Sequence, residues 1–143
     1  MPAPGPAAGS LGAEMRGKVI EQRRYTRADL RANPDRLFVF GDNLSGLGRG
    51  GQARECRGEP NAIGIPTKWH PTMDEAAFFT DCALPTLKPI IQGVFRRIDE
   101  HMEAGGDIVW PADGVGTGLA QLPSRAPAVL AFIERCRAHL LRC

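Results

Sequence analysis

Two glycine-rich runs stand where the backbone itself has chemistry to offer. Gly41-Asp42-Asn43-Leu44-Ser45-Gly46-Leu47-Gly48-Arg49-Gly50-Gly51 follows the apolar run 37–40, and Asp113-Gly114-Val115-Gly116-Thr117-Gly118 follows Ile108-Val109-Trp110-Pro111. A loop this poor in side chains exposes successive N–H groups, and a row of such dipoles holds an anion, phosphate above all. Glycine also permits positive φ and close approach of a ligand, and Thr117 adds a hydroxyl donor. One such loop is an ordinary strand-to-helix turn. Two, each at the end of a strand, make a pincer suited to a diphosphate. Asp42 brings a carboxylate able to activate water or accept from a ribose hydroxyl, although Asp-Asn after a strand is equally normal turn chemistry.

The elements that must position these loops follow from hydrophobic period and breakers. Leu37-Phe38-Val39-Phe40 and Ile108-Val109-Trp110 are too short for helices and lack polar alternation, as in strands buried on both faces. Residues 19–25 read as an edge strand, and 62–66 as another strand running into Thr67-Lys68. Thr26 is placed to cap a short helix through Ala32, ended by Asn33-Pro34, and 52–57 make about two helical turns. Thr86 is expected to cap a long helix with Pro89 in its first turn. Its apolar stripe is Leu87, Ile90, Ile91, Val94, Phe95, Ile98 and Met102, and Gly105-Gly106 closes it. Ser124 is expected to cap the last helix, with Val129, Phe132, Ile133, Cys136 and Leu140 on one face. Strands alternating with helices predict an α/β fold of three layers, α/β/α, with a mostly parallel sheet. Ligands of such sheets bind beyond the carboxyl ends of the strands, where both glycine loops and Thr67-Lys68 fall.

Composition bounds the rest. The 143 residues make one domain, with residues 1–17, rich in Pro, Ala and Gly, expected to be disordered ahead of a domain spanning 18–143. Met15 is a candidate initiator on that reading. A net charge of +2 carries no general nucleic-acid-binding signature. The four cysteines, Cys56, Cys82, Cys136 and Cys143, have no metal-ligand spacing, so no metal or cofactor is expected, and reduced thiols point to the cytoplasm. No stretch reads as a membrane span.

Gly46-Leu47-Gly48-Arg49-Gly50-Gly51 satisfies G-x-G-x-x-G literally. A dinucleotide site is nonetheless a poor fit, because the turn lies several residues past its strand and the next strand ends in Thr67-Lys68 rather than an acid. No Gly-Lys-Ser/Thr is present for a Walker A loop. The order Phe38-Val39-Phe40-Gly41-Asp42-Asn43, Gly48-x-Gly50-Gly51-Gln52-Ala53, Ile65-Pro66-Thr67-Lys68, Gly114-Val115-Gly116-Thr117-Gly118-Leu119 and Leu122-Pro123 resembles the macro-domain family. It is similar to macro-like proteins of bacteria and phages and to the branch that removes terminal ADP-ribose from protein or DNA.

The resemblance implies ADP-ribose or an ADP-ribosylated macromolecule as the partner. It implies that Asp42 and Asn43 lie near the distal ribose, that Gly48, Gly50, Gly51 and Gln52 approach it, and that 114–119 wrap the diphosphate. Lys68, after Thr67, matches the lysine that attacks the ribose carbon in the hydrolase branch. That branch carries an acid where this chain has Ala120, and Asp113 on the other side of the loop is the candidate replacement. The alternatives are a solvated or phosphate-neutralising Lys68, a non-catalytic reader module, and a scaffold with an empty pocket. Trp69 and Phe79 are candidates to stack a nucleobase, core packing being the commoner role for either, and His70 reads as polar surface.

Overall fold

A computed structural model describes residues 15–142 of the protein. Strands β1 (Val19–Gln22), β2 (Leu37–Asn43), β3 (Ala62–Lys68) and β4 (Ile108–Pro111) form one sheet in the order β1-β4-β2-β3, every pairing parallel. Helices α1 (Arg27–Ala32), α2 (Ala53–Cys56), α3 (Leu84–Glu103), α4 (Leu122–Arg125) and α5 (Pro127–Arg142) flank it. The fold is α/β with three layers. Alternate side chains of each central strand reach opposite faces. Val39, Ile108 and Trp110 join the larger core with α3 and α5, whereas Phe38, Phe40 and Val109 join the smaller one with Leu30, Ala53 and Cys56. Burial on both sides explains why these strands read as unbroken apolar runs.

The connections explain where a crevice opens. From β1 the chain steps to β2 and on to β3 with α1 and α2 on one face, then reverses to β4 with α3 on the other, the swap that right-handed crossovers require. β2 and β4 are neighbours, and the loops leaving them lead to helices on opposite faces. A gap at the carboxyl end of this strand pair is the expected ligand position in such a sheet.

Several boundaries differ from expectation, for identifiable reasons. β2 runs on to Asn43 because Gly41 and Asp42 keep their register with Ile65 and Pro66. β1 stops at Gln22, and Tyr25 turns into the smaller core, where its hydroxyl donates to the Val109 carbonyl at 3.2 Å. Thr26 caps α1 reciprocally: Asp29 N–H donates to its hydroxyl and Thr26 N–H to the Asp29 carboxylate. Neither Thr86 nor Ser124 is a cap. α3 begins at Leu84 with Pro85 in its first turn, α4 is a separate turn containing Ser124, and α5 begins at Pro127. Proline has its φ preset for a first turn and no N–H to leave unpaired there, so prolines mark both helix starts. Pro89 therefore lies beyond the first turn, and Ile90 is exposed while the rest of its stripe is buried. α2 is a single turn rather than two.

Residues 1–14 and Cys143 lie outside the described residues. Arg16 and Gly17, expected to be disordered, are tied to α3: Arg16 pairs with Asp99, and Gly17 N–H donates to the Met102 carbonyl at 2.8 Å. Among the described residues no helix is long and apolar enough to cross a membrane.

Burial pushes the Cys56 thiol up to about 12 from an ordinary value of 9.0. Between those values the folded chain holds a proton that the unfolded chain has lost, so stability falls as pH rises through that window. Cys82 is exposed. Iodoacetamide at about pH 8 is expected to modify Cys82 in the native protein and Cys56 only after unfolding, as read by peptide mass spectrometry. Equal native labelling of the two would contradict the burial argument.

Candidate functional site

The loops that leave β2 and β4 face one cavity of about 770 Å³. Gly48, Gly50, Gly51 and Gln52 line it from the first loop, and Gly114, Gly116, Thr117, Gly118 and Leu119 from the second. Asp42, Asn43, Thr67 and Lys68 contribute from the strand ends, and Asp113 from the start of the second loop. The loops all but touch, since a Cβ on Gly50 would lie 3.1 Å from Leu119 Cδ1. Val115 is the exception: its side chain is buried in the larger core, leaving only its backbone for a ligand.

Two glycines are required by space as well as by φ. Gly48 has φ of 89°, and a Cβ there would meet Pro71 Cβ at 2.7 Å; Gly116 has φ of 79°, and its Cβ would meet Leu122 Cδ1 at 2.3 Å. Among the described residues, the N–H groups of 48–52 and 115–120 donate to no carbonyl or side chain. Two runs of unspent donors therefore border the same cavity. Left-handed glycines among such donors make a concave anion site.

The polar side chains are more committed than their types imply. Both carboxylate oxygens of Asp42 accept from Arg57, at 2.6 and 2.7 Å, and the same guanidinium donates to the Leu47 and Gly48 carbonyls, each at 3.1 Å. This bonding holds Arg57 above its ordinary pKa. Asn43 shapes the first loop, donating to the Leu47 carbonyl at 2.7 Å and accepting from Ser45 N–H at 3.0 Å. Gln52 exchanges two bonds with the Tyr25 backbone, accepting at 3.0 Å and donating at 3.2 Å. Thr67 donates to the Asp42 carbonyl at 3.1 Å, and Thr117 to the Asp113 carbonyl at 2.7 Å. Asp113 is well exposed, its carboxylate 3.5 Å from Arg23.

Lys68 is only 7% exposed, in the wall of the cavity. Its ammonium donates to the Thr72 carbonyl and lies 4.5 Å from the centre of the Phe78 ring. Burial first, and then the Arg125 charge, lower its pKa below the ordinary lysine value. Phe79 is fully buried and meets Trp69 edge-on at 4.8 Å. Phe79 is therefore core and not a nucleobase platform, because no face of its ring is open, while Trp69 is partly buried against the same core. His70 is exposed.

Arg57 and Arg125 were not legible as site residues. Arg57 is one of several charged residues in a polar stretch, and Arg125 stands between Leu122-Pro123 and Ala126-Pro127, where nothing local says what it holds. A basic residue at the end of the turn following a glycine loop was the one available hint for Arg57.

The chain belongs to a family of unknown function (DUF7831), whose model matches residues 20–136, both glycine loops and Lys68 included. No curated protein and no solved structure matches it.

Proposed function

We propose that the protein binds ADP-ribose, or a closely related nucleotide diphosphate, in the cavity between its two glycine loops. The observation that carries this reading is the convergence of two donor-rich loops on one hollow at the carboxyl ends of adjacent parallel strands. The diphosphate lies against the unspent N–H groups, whose dipoles are fixed before the ligand arrives. The macro-like order of motifs supports the choice of ADP-ribose among nucleotide diphosphates.

The enzymatic form of this reading is removal of ADP-ribose from a macromolecule. Deprotonated Lys68 Nζ attacks the anomeric carbon, the bond to the linking atom breaks, and that atom leaves with the electron pair and takes a proton. Water then replaces the lysine on the sugar and restores the amine. Asp113, with one long contact to Arg23, is better placed to exchange a proton than Asp42, whose two oxygens are both held by Arg57. The second reading, a reader that binds without turnover, is favoured by the Thr72 carbonyl already occupying the Lys68 ammonium and by Ala120.

Calorimetry with ADP-ribose is expected to show binding. Absence of binding at millimolar ligand would reject both readings. With an ADP-ribosylated protein or DNA, Lys68→Ala is expected to lower turnover by at least about a hundredfold while leaving ADP-ribose affinity within about threefold. Turnover unchanged by that substitution would remove the lysine mechanism, and binding without any turnover by the natural chain identifies the reader.

A further inference from the structure

We propose that Arg125 is a positioning residue for Lys68: it fastens the segment holding the lysine's amine to the exit of the second glycine loop and keeps a fixed positive charge near that amine. This rests on the reading of Lys68 as the reacting group. Gln121 ends the second loop with φ of 55°, and among the described residues it is the one non-glycine at positive φ. Its side-chain carbonyl accepts from Arg125 Nε at 2.8 Å. The two terminal nitrogens of Arg125 donate to Glu75 at 2.9 and 3.1 Å. Glu75 opens a short turn in the segment that folds back on Lys68, where Trp69 N–H donates to the Ala77 carbonyl and Lys68 bridges to Phe78.

The Arg125 guanidinium also lies 3.7 Å over the Phe78 ring, the ring that the Lys68 ammonium approaches at 4.5 Å. One planar fork thus joins loop exit, covering segment and shared ring, a task for which lysine has the wrong shape. Arg125, with its partner Glu75, shares the Phe78 ring with the amine, and the cavity that Lys68 borders also carries Arg23, Arg24, Asp42, Glu55, Arg57 and Asp113. Glu75 is largely in solvent, where its charge is screened. The fixed cation disfavours the ammonium, and a lysine must shed its proton before it attacks carbon.

The test is the pH dependence of acetic anhydride labelling at Lys68 in the full chain, read by peptide mass spectrometry, for the natural protein, Arg125→Gln, Arg125→Lys and Glu75→Gln. Arg125→Gln is expected to raise the midpoint by about half a pH unit or more, roughly a threefold loss of free amine at a fixed pH below it. Arg125→Lys, which keeps the charge and loses the fork, is expected to raise the plateau rate with a smaller change in midpoint. Glu75→Gln is expected to raise the plateau rate with no upward change in midpoint, and it keeps the test decisive if Arg125→Gln does not fold. Equal midpoints in all proteins, an equal rise in both Arg125 variants, or a raised midpoint in Glu75→Gln overturns the proposal. No nucleotide enters these measurements, so their failure is distinct from a failure of ADP-ribose to bind.

Discussion

Gly116→Ala is expected to destabilise the protein by about 3 kcal/mol or more and to abolish nucleotide binding. The new methyl would stand 2.3 Å from Leu122 Cδ1, and Leu122 is fully buried at the start of α4. It cannot swing aside into solvent, so the loop or the helix must shift. The φ of 79° adds strain that glycine alone avoids. Gly118→Ala is the control: φ there is not left-handed, and a Cβ would meet nothing within 4 Å. It is expected to change stability by no more than about 0.5 kcal/mol. Thermal melts and calorimetry on both variants separate fold from cradle. A Gly116→Ala protein that melts like the natural one would show that the second loop is not held as described.

Arg57→Ala is expected to cost about 2–4 kcal/mol, because it strands the Asp42 carboxylate at 14% side-chain exposure with its main partner gone. It also frees the Leu47 and Gly48 carbonyls, so the first loop should become a site of limited proteolysis. Asp42→Asn removes the charge at the other end, keeps an oxygen to accept from Arg57, and is expected to cost less. Denaturant titration with matched m-values measures both, and an Arg57→Ala midpoint equal to that of the natural chain would refute the clamp. Loosened loop carbonyls are also expected to weaken ADP-ribose, since the neighbouring N–H groups lose their fixed orientation.

The contrast between these two sites marks how far the chain could be read before its structure. Leu37-Phe38-Val39-Phe40 and Ile108-Val109-Trp110 announced buried strands because burial on both faces removes the polar positions, and the stripe of α3 announced its core side by period alone. The convergence of the loops followed from their common place at strand ends. What stayed hidden depends on partners distant in sequence. Asp42 read as a turn residue or a catalytic acid, because the arginine that takes both its oxygens lies 15 positions on. Thr86 and Ser124 read as caps because hydroxyls usually are, yet Pro85 and Pro127 fit the first turns better. Val115 read as part of the cradle, but in a loop between core and cavity its apolar side chain takes the core.

The position of β4 bears on how the protein is made. It lies between β1 and β2, strands that leave the ribosome long before Ile108–Pro111 is synthesised. A nascent chain halted before that point carries two open strand edges on either side of a gap, the kind of surface that invites mispairing. On the proposed reading, affinity for ADP-ribose arises only once the last quarter of the polypeptide, from Ile108 on, has emerged, and its onset during synthesis is expected to report completed assembly of the sheet.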